Sequence, residues 1–180
     1  GAPSVVRHPF EFGNEITNEN WYQIAELGLT VDMPFLGEGH YKLTPWHNRT
    51  GDYEGWGVGI NFDQALYFKD LISFFRFGYG EPDATPIELF VSAGLTWIKP
   101  FGRKYDMFGV GVAWSDPSPT PQTPAQPYDP QSETLIEIFY RASILSWLSL
   151  TPDLQIVHHP ANDRRQNIVF IPGIRLQASF

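Results

Sequence analysis

Cysteine is absent from all 180 residues. A disulfide framework and a thiolate metal site are both excluded, and no cofactor-binding pattern takes their place. No apolar run approaches the ~20 residues that a membrane-spanning helix needs. Charge is also scarce. Asp, Glu, Lys and Arg make up 18% of the chain, against roughly 25% in ordinary soluble domains. Basic charge is scarcer still: 12 Lys and Arg face 20 Asp and Glu, a net charge of −8. Phosphate binding needs a basic surface, so this balance argues against a nucleic-acid partner. Histidine occurs only at positions 8, 40, 47, 158 and 159. There is no HExxH spacing and no nucleophile elbow, which argues against an enzyme. His158 and His159 point to opposite faces of an extended chain and make poor joint metal ligands. The chain starts at Gly1 without a signal-peptide pattern, as expected of a mature product or a fragment.

Aromatic residues, by contrast, are abundant: 14 Phe, 8 Tyr and 6 Trp, with 16 Gly and 16 Pro. Many aromatics, few charges and no helical span fit a membrane β-barrel or a soluble all-β domain. The last stretch, Gln166 to Phe180, shows the underlying pattern. Ile168, Phe170, Ile174, Leu176, Ala178 and Phe180 alternate with Val169, Ile171, Gly173, Arg175, Gln177 and Ser179. Alternation with period 2 is a strand with two different faces.

The same alternation recurs upstream. Residues 1–19 carry no pattern and are expected to be a loop or unpaired end. A single barrel segment is expected over 20–180. Trp21 to Asp32 is read as one strand, and His40 to Trp46 as a weaker strand broken by Pro45. The next stretch sets Trp56, Val58, Ile60 and Phe62 against Gly57, Gly59, Asn61 and Asp63. These glycines run in register with a strand and no helix follows, so they do not read as a phosphate loop. Alternating strands follow over 71–79, 87–97, 107–115, 133–144 and 148–157. The total is about nine strands and no helix. Connections alternate between shorter ones (33–38, 64–70, 99–104, near 146) and longer polar ones (47–55, 80–86, the Pro-rich 115–132, and 158–166). Long loops at one end and short turns at the other mark outer-membrane barrels.

The apolar sets contain no Asp, Glu, Lys or Arg. The opposite sets hold Glu26, Asp32, Asp63, Arg76, Glu88, Glu133, Glu137, Arg141, Asp153 and Arg175. In a barrel the charged face lines the lumen; in a soluble sandwich it faces water. Alternation alone is compatible with both. Trp56, Tyr79, Trp97 and Trp114 fall near strand ends, where interfacial girdles sit, and favour the barrel. An odd strand number leaves two open edges, which missing N-terminal strands or another chain must close.

Four stretches carry a family resemblance: FFRFGYGEPD (74–83), AGLTWIKPFGRKYDMFGVGVAW (93–114), ETLIEIFYRASILSWLSLTPDLQIVHHP (133–160) and GIRLQASF (173–180). They resemble the OprB-type carbohydrate-selective porins of Gram-negative outer membranes. Residues 53–180 carry the likeness. It implies an all-β fold, a transmembrane antiparallel up-and-down barrel. Family members are sixteen-stranded and roughly double this length, so this chain would be the C-terminal part. The resemblance further implies passive diffusion of sugars such as glucose, contact with outer-membrane lipid, and engagement of the barrel-assembly machinery through the C-terminal strand ending at Phe180. The candidate pore-lining and substrate-binding residues are Glu26, Asp63, Arg76, Glu88, Glu137, Arg141, Asp153, Gln155 and Arg175. Arg103 and Asp106 flank a turn and read as a structural pair at the periplasmic rim. A soluble sandwich or lipocalin-like binding module, and a small eight-stranded structural barrel, stand as alternatives.

Overall fold

The computed structural model describes residues 21–34, 36–50, 53–66, 70–119 and 130–179. The expected N-terminal loop, the centre of the Pro-rich loop and Phe180 lie outside these residues. Ten strands form one sheet: β1 Trp21–Ile24, β2 Leu27–Met33, β3 Gly37–Thr50, β4 Tyr53–Leu66, β5 Leu71–Gly80, β6 Ile87–Ile98, β7 Met107–Pro117, β8 Glu133–Leu145, β9 Leu148–His158 and β10 Ile168–Ala178. From β3 onward, each strand pairs antiparallel with the next, an up-and-down meander. β1 and β2 both pair with β3 in one continuous register, Trp21 opposite Arg49 and Leu27 opposite Leu43. They are a single strand interrupted at Ala25 and Glu26. The gap lies opposite Pro45, which has no N–H for the ladder. One bond survives there, from Ala25 N–H to the Pro45 carbonyl. The β1/β2 strand and β10 are the two edges, and the sheet does not close among the described residues.

Two strands run longer than the sequence pattern predicts. The polar segment 47–55 is read as a loop, but β3 reaches Thr50 and β4 begins at Tyr53. Arg49 and Glu54 face each other across this extension, 3.8 Å apart, beyond Trp56. Polar residues suit a hairpin standing clear of the lipid, and their polarity hides the strand. At the other end β4 continues to Leu66 and brings Gln64 onto the apolar face. Gln64 is only 6% exposed. Its amide donates to the Gly37 and Ala65 carbonyls at 2.9 and 2.8 Å and accepts from the Tyr41 hydroxyl at 2.5 Å. An unpaired amide on this face would cost several kcal/mol, and these bonds remove that cost.

Register sorts the two faces. One row of cross-strand neighbours runs across the whole sheet as Leu29, Tyr41, Phe62, Phe75, Ala93, Val112, Ile136, Ile156 and Phe170. The neighbouring row on the other face reads His40, Asp63, Phe74, Gly94, Gly111, Glu137, Gln155 and Ile171. The first row is free of charge and needs an apolar partner. The described residues supply none, since every strand among them belongs to the same sheet. Among the described residues the buried apolar side chains are Val157 and, in the β6–β7 turn, Pro100, while Val110, Val112, Ile138 and Leu176 are exposed. A soluble sandwich would bury that row against a second sheet. A sheet whose apolar face carries charge only at one end, at Arg49, Glu54 and Asp116, and which has no core among the described residues, is built for lipid. Aromatics mark both ends of this face: Trp56 packs on Tyr79 at 5.6 Å, and Trp97 on Phe101 at 5.3 Å.

Candidate functional site

The polar face gathers charge on β4 and β5. Arg76 Nη2 donates to Asp63 Oδ1 at 2.8 Å, and Nη1 donates to the Phe62 and Phe75 carbonyls at 2.9 and 3.0 Å. Three bonds fix the guanidinium, whose carbon lies 5.3 Å from the centroid of the Phe74 ring. Both partners stay partly open, with side chains 32% and 44% exposed. Asn61 and Ser92 flank Arg76 in its row.

The other sequence candidates take several places on the same face. Glu137 and Gln155 are direct cross-strand neighbours and share the row of Asp63. Asp153 sits one row below, between Phe139 and Gly173. Arg175 pairs with Thr151, and Arg141 with Met107, nearer the short turn between β8 and β9. Arg141 Nε is buried without a partner. Glu26 lies in the break between β1 and β2 and accepts from Lys42 Nζ at 2.8 Å. Glu88 occupies a bulge at the start of β6, apart from the rest. The structure therefore brings Asp63 and Arg76 into contact and aligns Glu137 and Gln155 with them, but leaves Glu26 and Glu88 outside this group. Among the described residues no cluster of three acidic, His or Cys side chains could hold a metal.

Sequence reasoning missed the aromatic residues of this face. Phe74 extends from β5 over Gly94, where a Cβ would come within 2.4 Å of its Cε1, and its Cζ reaches Gly111. Phe139 lies over Gly109 in the same manner, with Cε1 2.2 Å from a Cβ built there. Trp46 covers Gly57 and Gly80. The signal was present as glycines directly opposite aromatics in register. The glycines are hollows that seat rings against the wall. Gly109→Ala is expected to cost about 1–3 kcal/mol, because the Phe139 ring must swing out. Urea unfolding in detergent should show that loss shrinking in a Phe139→Leu background, since the two residues are coupled.

The two ends of the sheet are pinned differently. At the short-turn end, Asp106 is buried at 2% exposure. It accepts bonds from Arg103 Nε, from the Tyr140 hydroxyl at 2.6 Å and from the Ser143 N–H at 2.9 Å. Burial pushes its carboxyl up, but these donors outweigh it and hold the pKa at about 2. Lys99 reaches Asp70 across the adjacent turn at 2.8 Å. At the long-loop end, Arg165 donates to both oxygens of Asp163. Those bonds lower the Asp163 pKa despite burial. The Ala161 N–H donates to Glu133 at 2.7 Å, and the Gln131 N–H to the Asn162 carbonyl at 2.8 Å. The loop after β9 is thus tied to the start of β8.

Comparison with known proteins places this geometry. The family model described as "Carbohydrate-selective porin, OprB family" matches residues 14–180. A porin of Chlamydia caviae, AaxA, is 29% identical over 177 residues, covering 94% of this chain and 38% of the relative. A solved structure of Pseudomonas putida OprB at high pH superposes with a TM-score of 0.74 at 16% identity, covering 89% of this chain and 49% of that one. The chain spans less than half the length of either protein.

Proposed function

The chain belongs to the OprB family of carbohydrate-selective porins, and on that premise we propose that it forms the C-terminal part of a sixteen-stranded barrel passing sugars, monosaccharides such as glucose among them, by passive diffusion. The family and fold are those of outer-membrane β-barrel channels, not enzymes. The observation that carries the reading is the inversion of polarity: an apolar face, free of charge away from its one polar end and uncovered among the described residues, behind a face bearing Asp63, Arg76, Glu137 and Gln155. In hydrocarbon every backbone group must be paired, so the open edges at β1/β2 and β10 need strands from outside this chain. The missing N-terminal part supplies them, and β10 presents the C-terminal strand to the assembly machinery. Residues 20–180 then form one barrel segment, with the long loops, including the Pro-rich 115–132, outside the cell.

Transport here needs no covalent step. A sugar entering the lumen loses water from its hydroxyls, and Arg76, Asp63, Glu137 and Gln155 replace it. The guanidinium offers a rigid fork suited to paired hydroxyls. Asp153, Arg141 and Arg175 continue the polar path towards the periplasmic mouth, and Glu26 and Glu88 add negative charge along the wall. Arg103 and Asp106 hold the periplasmic rim and do not touch the sugar. The test is uptake by the complete barrel in liposomes. Glucose influx should saturate, and Arg76→Ala should raise the half-saturating concentration about tenfold, the worth of one hydrogen bond to a charged group. A barrel that conducts ions but admits no glucose would overturn the reading.

A further inference from the structure

We propose that the apolar face carries a phospholipid site at the periplasmic rim, taking a head group with both a phosphate and a primary ammonium. The inference goes beyond the sugar reading and holds whatever passes through the lumen. A groove of about 550 Å³ opens on the lipid-facing side of β5, β6 and β7, lined by Asp70, Leu71, Leu95, Trp97, Phe108 and Val110. A second, of about 520 Å³, shares Leu95 and Val110 and reaches Phe75, Ala93 and Val112. Small side chains make this depression. Ala93 lies between Phe75 and Val112 in its row, and Ser73 lies beside Leu95 in the next. From Trp97 to Ala93 along β6 is about 14 Å of strand, at ~3.4 Å per residue. The groove therefore runs from the aromatic girdle into the hydrocarbon, the direction that an acyl chain takes.

The mouth of the groove carries charge of both signs. Lys99 Nζ donates to Asp70 Oδ1 at 2.8 Å, and the two side chains are 49% and 47% exposed. An ammonium has three donors and a carboxylate two accepting oxygens, so each keeps capacity beyond this bond. The other cations of the turn are engaged elsewhere. Arg103 bonds Asp106 and the Ser143 carbonyl, and Lys104 Nζ lies 5.3 Å from the centroid of the Tyr105 ring. The pair at the groove is thus neutral as a whole. A phosphate alone would meet the Asp70 carboxylate as well as Lys99. A head group with a primary ammonium beside its phosphate offers a partner to each, the phosphate to Lys99 and an N–H to Asp70. A choline head group has no N–H to donate. A second copy of this chain seated on the groove would bury the pair and desolvate both charges, which is costly. A lipid head group leaves them wet. Phe101 packs on Trp97 at 5.3 Å and adds to the apolar wall at this mouth.

The complete barrel in detergent should be titrated with phosphatidylethanolamine, phosphatidylcholine and phosphatidylglycerol of the same acyl chains, and bound lipid counted by native mass spectrometry. One phosphatidylethanolamine should be retained per barrel, about tenfold more tightly than either of the others, the worth of one charge-assisted hydrogen bond. Lys99→Gln and Asp70→Asn should each abolish that preference, and Lys99→Arg should keep it. Ala93→Phe, which fills the groove, should weaken binding of all three lipids. Equal retention of the three lipids by the wild-type barrel overturns the site, and no variant has to assemble for that result to be read. An unchanged preference in Lys99→Gln and Asp70→Asn barrels also overturns it, because the lipid would then be read elsewhere. Barrels that associate in twos or threes without retaining lipid would overturn it too, and would assign the groove to an interface between copies. None of these results bears on the sugar reading, which glucose influx tests separately.

Discussion

Val112→Lys should destabilise the barrel by about 2–4 kcal/mol, while Ala113→Lys, one residue on, should cost little. Val112 lies between Ala93 and Ile136 in the apolar row and is 46% exposed. It stands between Phe108 and Trp114 on β7, inside the aromatic girdles. A lysine there puts an ammonium into hydrocarbon with no partner in its row. Ala113 lies on the other face between Ser92 and Leu135, and Ser92 is the neighbour of Arg76. A lysine at that position reaches water. Urea titration of the complete barrel in phospholipid vesicles measures both. The opposite order, with Ala113→Lys costly and Val112→Lys tolerated, would mean that the charged face is buried and the apolar face wet, and the membrane orientation would be wrong.

That pair of residues also shows why so much of the fold is legible from residue order. Period-2 alternation is local, and each strand declares its two faces without reference to its neighbours. Val110, Val112 and Trp114 against Gly109, Gly111 and Ala113 is readable as it stands. What alternation does not carry is the row. Which inward residue meets which depends on register, and register is set by strand ends and turns. The segment from His47 to Gly55 is polar on both faces, so its strand character is invisible and the β3–β4 hairpin is longer than its pattern predicts. Gln64 falls on the lipid-facing side because β4 runs on through a segment that reads as a turn. The site was legible in the same partial way. Charged residues on the inward set identify Asp63 and Arg76 singly. Their contact, and the seating of Phe74 on Gly94, exist only across strands. A glycine in a strand reads as a small residue until its cross-strand partner is known to be aromatic.

The rim turn provides the other large effect. Asp106→Ala should lower stability at pH 7 by about 2–4 kcal/mol, because removing a buried acceptor strands the donors that faced it. The Ser143 N–H and the Tyr140 hydroxyl belong to β8, so the carboxylate fastens the β6–β7 turn to the next strand over. The turn leaves few other ways to do this: the remaining side-chain ties across it are Arg103 Nη2 to the Ser143 carbonyl at 3.4 Å and the Ser143 hydroxyl to the Tyr105 carbonyl at 2.8 Å. The effect also has a pH signature. The Asp106 carboxyl titrates at 3.8 in the unfolded chain and at about 2 in the folded one. The folded state therefore binds the proton less readily, and the contribution is complete above pH 3.8 and lost as pH falls through about 2. Urea midpoints of wild type and Asp106→Ala should lie far apart at pH 7 and converge between pH 4 and 2, other carboxylates moving both curves together. Midpoints that keep the same separation across that window would show that the charge of Asp106 contributes nothing, and that its side chain acts through contacts a neutral carboxyl makes equally well.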